Sequence, residues 1–295
     1  MSIESLMGLV QRLNASTETL AALGAELRLR RDDAQADPEA RQLLQETLRG
    51  IDPGLLEGVS PQQEAVAFAI IGAAFHYAVD LFEDPARAPG WLHRDPAVLQ
   101  TIGRISSRIV HQIDAFAAQR PALHKMLTSA GNFLDIGTGV GWLAIEAAQV
   151  WPALKVVGID IWEPSLQLAR ANIAATGMQE RVALRTQSIV DLDDREAFTV
   201  VWYPAPFLPL QIAPAAMENV YRALVPGGWL VFGMFPPQPD PLGEALRALR
   251  TVRCGGYLWK VPEVEERLRA LGYEEVETFA HGSVSTLLVV GHKPV

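Results

Sequence analysis

The chain has 295 residues, 49% of them apolar and 20% charged, and a formal net charge of −9. That length suits one large or two modest domains, and the acidic balance argues against a nucleic-acid backbone as main partner, because phosphate binding needs concentrated Lys and Arg. A single cysteine, Cys254, excludes an intrachain disulfide and a cysteine-based metal site.

Residues 2 to about 120 read as helices only. Leu6, Leu9, Val10 and Leu13, then Leu20, Leu23 and Leu27, recur at helical spacing with polar residues between. Asp37-Pro38-Glu39 is a helix start, and Ile51-Asp52-Pro53-Gly54 ends the helix it opens. Ser60-Pro61-Gln62-Gln63 opens the next, which carries Ala65 to Leu81, apolar almost all round and so expected to be central and buried. His76, Tyr77 and Asp80 interrupt this stretch, which is close to the minimum spanning length, so a buried helix is expected rather than a membrane span. Asp84-Pro85 to Pro89-Gly90 reads as a loop. Asp95-Pro96 starts a helix with Ile102, Ile105, Ile109, Ile113 and Phe116 on one stripe. The N-terminus carries Glu4 and lacks a basic start followed by an apolar run. No secretory signal is read there, and a cytosolic, reducing setting is expected.

Near Pro121 the pattern changes to alternating strands and helices. Strands are predicted near 133–136, 156–160, 182–186, 199–203, 228–234, 274–280 and 285–291. Helices are predicted near 141–150, 165–176, 210–223, 241–251 and 262–271. Such alternation means a parallel sheet covered on both faces. The last two strands are separated only by Ala280 to Val284, too short for a crossover, so they must pair antiparallel.

The stretch Phe133-Leu-Asp-Ile-Gly-Thr-Gly-Val-Gly-Trp142 organises this half. A buried strand ends at Asp135, Gly137, Gly139 and Gly141 make a turn free of Cβ atoms, and a helix starts at Trp142. A ligand can then lie against bare backbone near a helix N-terminus. A second buried strand, Val156 to Asp160, also ends in a carboxylate. An ordinary NAD site also wants an acid about 20 residues on, so Asp160 does not discriminate. Asp135 does, because a carboxylate beside the first glycine is badly placed for a pyrophosphate and suits a cationic or hydroxyl-bearing ligand.

With these residues the chain resembles the class I S-adenosylmethionine-dependent methyltransferases, over roughly residues 121–295. The resemblance implies a Rossmann-like seven-stranded sheet with an antiparallel C-terminal hairpin. It places S-adenosyl-L-methionine along Asp135, Gly137, Thr138 and Gly139, with its ribose hydroxyls on Asp160 and its adenine beside Ile161 and Trp162. Trp162 could equally cap the sheet edge. After the third strand the family often carries an acid for the adenine amino group. That place falls here on Ser188, followed by Ile189. The fourth strand ends Trp202-Tyr203-Pro204-Ala205-Pro206-Phe207, a partial match to the Asn/Asp-Pro-Pro-aromatic motif of amine-methylating members, with Tyr203 in the leading place. Their mechanism is not carried over. What remains is a proline-fixed loop with aromatic walls, suited to a small apolar or aromatic substrate. Leu224-Val-Pro-Gly-Gly-Trp229 resembles the family's structural turn before the fifth strand.

Tyr203, which is also a candidate cofactor contact, and His76 are the candidate catalytic residues. His76, beside Tyr77 on the apolar helix, needs a partner or a cavity, although such a histidine is more often a satisfied core residue. No His-x-x-x-His or His-Glu pair suggests a metal. The expected organisation is a helical domain over 1–120, serving as lid, substrate wall or dimerisation surface, and a cofactor-binding domain over 121–295. The expected function is methyl transfer to the O, N or C of a small molecule, a secondary metabolite by analogy of fold. Nucleic acid and membrane are not expected as partners, and a homodimer is among the expected assemblies. The alternatives are a non-catalytic binding protein on this scaffold and an NAD-dependent oxidoreductase.

Overall fold

A computed structural model describes residues 2–280 and 286–295. The chain divides into two compact units between Glu83 and Asp84.

The first unit is three helices, α1 (Ile3–Arg31), α2 (Pro38–Ile51) and α3 (Pro61–Glu83). Asp37 caps α2 as its sequence requires, its carboxylate accepting the N–H groups of Glu39 and Ala40 ahead of Pro38. The α1 and α3 backbones approach closely where Gly24 meets Ile71: a Cβ at Gly24 would lie 3.1 Å from the isoleucine side chain. The N-terminal half of α1 buries nothing, so Ile3, Leu6, Met7, Val10 and Leu13 form an exposed apolar stripe. One expectation is corrected: α3 is not a buried helix, since only Ala69, Ile71 and Ala73 are buried, while Ile70, Val79 and Phe82 face outward. By length and composition α3 is the one helix among the described residues that could cross a membrane.

The second unit opens with α4 (Pro96–Ser106), α5 (Arg108–Ala117) and α6 (Pro121–Thr128). The helix expected to run unbroken from Asp95 divides at Ser107. Both Ser106 and Ser107 turn their hydroxyls back onto carbonyls three residues earlier, Gly103 and Arg104. Paired serines competing in this way bend helices. Then follow β1 (Gly131–Ile136), α7 (Trp142–Val150), β2 (Leu154–Asp160), α8 (Glu163–Ala175), β3 (Val182–Thr186), β4 (Phe198–Pro204), α9 (Ala213–Ala223), β5 (Leu224–Met234), α10 (Pro241–Arg253), α11 (Val261–Ala270), β6 (Glu274–Phe279) and β7 (Leu287–His292).

The strands form one seven-stranded sheet in the order β3-β2-β1-β4-β5-β7-β6. The first five are parallel, and β7 runs antiparallel to both β5 and β6. The predicted elements and the reversed ending are therefore observed, while the connection at 281–285, including His281, lies outside the described residues. One face of the sheet packs Leu134, Val201, Tyr203 and Phe232 against α9 and α11. The other packs Phe133, Val200, Trp229 and Val231 against α5, α6 and α7.

The compact units divide 37 residues before the expected boundary at 120. Val110, Ile113 and Phe116 belong to the sheet's own core, so α5 cannot be separated from it. The chain leaves β1 for β2 and β3 on one side and returns to β4 and β5 on the other. Ligands bind outside the carboxyl ends of strands at such a switch point.

Candidate active site

The turn after β1 is built around three glycines with positive φ, Gly137 at 62°, Gly139 at 55° and Gly141 at 82°. Residues with a Cβ rarely adopt such angles, so the sequence folds this way because of its glycines. The turn is tied to the neighbouring strand. Thr138 N–H donates to the Ile159 carbonyl at 3.0 Å, and Gly139 N–H donates to Asp160 Oδ2 at 2.8 Å. Asp160 Oδ1 accepts the N–H of Trp162, also at 2.8 Å. The half-buried Asp160 is thus a staple between the two turns, and burial raises its pKa above the ordinary value against the pull of these N–H groups.

Asp135 is 1% exposed and accepts the Thr138 hydroxyl at 2.7 Å. Burial pushes its carboxyl up to about 7, the Thr138 hydrogen bond opposes this, and the charge of Asp160 adds to it. Gly158 makes room for Thr138: a Cβ there would lie 2.6 Å from the threonine hydroxyl. At Gly139 a Cβ would meet only the Gly137 carbonyl, at 3.9 Å. The loop therefore presents open bare backbone, flanked by two carboxyl groups.

Behind the loop, Asn172 on α8 donates to the Val140 carbonyl at 2.8 Å and exchanges amide hydrogen bonds with Gln100 on α4. Gln100 also receives the indole N–H of Trp142 at 2.6 Å. A Cβ on Gly103 of α4 would lie 2.2 Å from Val140 Cγ2. The pattern of the chain did not disclose this support. Its signal, polar Gln100 on the apolar face of a helix, is visible in hindsight.

The segment from Asp84 to Asp95 is more than a connecting loop. Gly90 N–H donates to the carbonyl of Arg253, the last residue of α10, at 3.1 Å. The Trp91 ring meets Phe207, just past β4, edge-on at 5.3 Å. The His93 carbonyl accepts the indole N–H of Trp162, just past β2, at 2.8 Å. Residues 91–93 therefore strap the carboxyl ends of β2 and β4, and β1 with its glycine turn lies between those strands. The spacing fits, since two strand separations are about 10 Å and two residues of extended chain supply roughly 7 Å before side chains are counted.

Ile161 is exposed, and Trp162 is held by His93 on its indole nitrogen and by Arg94, 4.8 Å over its ring. Ser188 accepts the Val190 N–H at the start of a short 3₁₀ turn, in which Ile189 is buried. Tyr203 is placed differently from the expectation of a catalytic group. It is fully buried in the layer under α9 and α11 and stacked on Phe232 at 4.9 Å. Burial raises its pKa, and its hydroxyl has no partner among the described residues. In this placement the ring is a packing element of β4, not part of the strap's aromatic row. His76 lies on α3 in the first unit.

The profile of the family described as "Methyltransferase domain" matches residues 133–228, which hold the glycine turn, Asp160 and the β4 end. Residues 133–228 are thus similar to a methyltransferase domain. The O-methyltransferase imqG of Aspergillus flavus is 31% identical over 118 residues, 39% of this chain and 48% of the relative. A demethylmenaquinone methyltransferase of Thermus thermophilus is 35% identical over 108 residues, 37% of this chain and 49% of the relative. The chain thus spans about half the length of these curated relatives. An O-methyltransferase family protein from Burkholderia thailandensis superposes with a TM-score of 0.66 at 14% identity, covering 100% of this chain and 98% of the other. That likeness is one of fold. It extends beyond residues 133–228 to the N-terminal helices.

Proposed function

We propose that this protein transfers a methyl group from S-adenosyl-L-methionine to a small-molecule acceptor. The observation that carries the proposal is the glycine turn flanked by Asp135 and Asp160. A sulfonium bearing an α-amino group suits two carboxyl groups and an open backbone cradle, whereas a pyrophosphate does not. When bound, the cofactor supplies an electrophilic methyl for direct displacement. Asp160 retains lone pairs for ribose hydroxyls beyond those taken by Gly139 and Trp162. Ile161, Trp162, Ser188 and Ile189 are the proposed adenine surroundings. Asp135, Gly137, Thr138 and Gly139 are the proposed seat of the methionine part.

The half-buried rings of Trp91, Phe207 and Phe235 support an aromatic or apolar acceptor held beside that seat. The acidic net charge supports a small molecule over a nucleic acid. The exposed apolar stripe on α1 supports a homodimer, to be checked by light scattering.

Calorimetric titration with S-adenosylhomocysteine, with NADH in parallel, tests the reading. Micromolar binding of the first and none of the second is the expected result. The reverse would establish the oxidoreductase alternative. Binding of S-adenosylhomocysteine without turnover of any phenol, amine or keto acid would favour a non-catalytic protein.

A further inference from the structure

Trp162 is shared between the two sides of the sheet edge. Its backbone belongs to the cofactor side. The N–H donates to Asp160 Oδ1 at 2.8 Å, and the carbonyl accepts the N–H groups of Ser165 and Leu166 in the first turn of α8. Its side chain reaches the strap, where the indole N–H donates to the His93 carbonyl, also at 2.8 Å. Arg94 lies 4.8 Å over the ring, which is half-buried.

The strap is held differently along its length. Upstream, Arg87 donates to the carbonyls of Ala88, Gly90 and Arg253, while Arg253 donates to the Asp84 carbonyl and accepts the Gly90 N–H. Gly255 closes this clasp, since a Cβ on it would lie 2.9 Å from Gly90 Cα. Downstream, the Asp95 carboxylate accepts the N–H groups of Ala97 and Val98 and starts α4. These bonds at the two ends use no residue of the proposed cofactor seat. The span between them does. Residues 91–94 carry the Trp91 ring to Phe207 at 5.3 Å and are gripped in mid-span by Trp162. A carbonyl outside any strand ladder depends on such a donor or on water. An indole is a rigid plate turning on two torsions, so holding its ring also holds its N–H.

We propose that Trp162 is a positioning residue that ties the acceptor side of the site to the cofactor. Its ring borders the adenine and its N–H holds the strap, so the strap carrying Trp91 is fixed while the cofactor is bound and loosened once it leaves. This rests on the methyl-transfer reading above and on the place of Trp162 in the adenine surroundings. The bound adenine removes alternative rotamers of the indole, and the strap then docks on a donor that is already ordered. By linkage the effect is mutual, and a docked strap holds the cofactor more tightly in return.

The test is amide hydrogen exchange of residues 84–95 in the full chain, followed by mass spectrometry with and without saturating S-adenosylhomocysteine. Trp162→Phe keeps a flat ring and loses the N–H. Trp162→Gln keeps an N–H donor of similar reach and loses the ring. In the wild type, S-adenosylhomocysteine is expected to slow exchange of this segment. In Trp162→Phe, exchange with ligand bound should be roughly 5- to 10-fold faster than in the wild type, the factor for one net hydrogen bond. Trp162→Gln should recover most of that protection, but equally with and without the ligand. Calorimetry should rank the two variants the other way, with Trp162→Gln losing more S-adenosylhomocysteine affinity than Trp162→Phe. On any phenol, amine or keto acid that the wild type methylates, Trp162→Phe should raise the acceptor KM by a larger factor than it lowers kcat.

Wild-type exchange that ignores bound S-adenosylhomocysteine would overturn the proposal. So would unchanged exchange in Trp162→Phe, which would show that the strap holds without the indole N–H. Exchange in Trp162→Gln as fast as in Trp162→Phe would make ring packing the anchor and overturn it as well. Failure of the wild type to bind S-adenosylhomocysteine at all would be distinct from these, because it would overturn the methyl-transfer reading and this proposal together.

Discussion

At the scale of single residues, the two carboxyl groups beside the glycine turn differ in what they do. Asp160 holds Gly139 to Trp162 through two N–H groups at 2.8 Å, so its removal affects both the ligand and the turn. Asp160→Ala should weaken S-adenosylhomocysteine binding by about 1.5–3 kcal/mol, the range for hydrogen bonds to charged groups, as read by calorimetry. Unchanged affinity would take Asp160 out of the ribose role. Asp135 is raised to about 7 from an ordinary 3.8. A carboxyl whose pKa is higher folded than unfolded contributes stability that is fully present below 3.8 and is lost as pH rises through about 7. Urea unfolding should therefore show Asp135→Asn gaining on the wild type between those values, by at most about 1.4 kcal/mol per pH unit, and levelling off above them. The cationic cofactor should favour the ionised carboxyl. Wild-type affinity for S-adenosylmethionine is then expected to rise with pH through about 7, while Asp135→Asn binds weakly and without that slope. A flat wild-type profile would show that Asp135 does not face the cation.

At the scale of elements, the loops at the sheet's edge lean on one another through backbone as much as through side chains. The loop after α10 presses Gly256 against Pro206, with the carbonyl oxygen 1.9 Å and the carbonyl carbon 2.4 Å from where a Cβ would stand. Backbone cannot swing aside like a flexible side chain. Gly256→Ala should therefore displace the turn carrying Phe207 and cost about 1–3 kcal/mol, as overpacking does. KM for an aromatic acceptor should rise while S-adenosylhomocysteine affinity holds. Equal loss of both would mean that the whole edge had rearranged. This dependence also explains what the sequence could and could not disclose. β1 to β7 and their helices were legible because Val156 to Asp160 or Trp229 to Phe232 are apolar runs bounded by turn residues. The glycine turn was legible because positive φ selects glycine. The strap at 90–93 was not, because it is held by the carbonyls of His93 and Arg253, and a carbonyl leaves no trace in residue identity. Proline-glycine before Trp91 and Asp95-Pro96 after His93 hid an aromatic–histidine pair inside what reads as a loop. Tyr203 was misplaced for a related reason. Its position in the β4 motif is the one expected, but the pleat turns its ring into the layer beneath α9 and α11.

For the whole molecule, the division between Glu83 and Asp84 makes a prediction that a boundary at 120 does not. Composition alone places α4 and α5 with the other helices, because all-helical sequence continues unbroken to Arg120. Packing places them with the sheet. Val110, Ile113 and Phe116 are almost wholly buried in the layer that also holds Phe133, Trp229 and Val231. Gln100 reaches the glycine turn's own support through Trp142 and Asn172. A fragment of residues 84–295 should fold cooperatively and bind S-adenosylhomocysteine within a few-fold of the full chain. A fragment of residues 121–295 removes α5 from one face of the sheet and exposes several large apolar side chains packed against it, each worth about 1.5–3 kcal/mol buried. Against a typical total stability of about 5–15 kcal/mol that loss is decisive, and the shorter fragment should aggregate or melt without a cooperative transition. Thermal melting of the two fragments, followed by calorimetry on whichever folds, distinguishes the boundaries. A stable, binding-competent 121–295 would show that α4 and α5 are an accessory to the cofactor site, and an unfolded 84–295 would show that the first three helices are required for the fold of the rest.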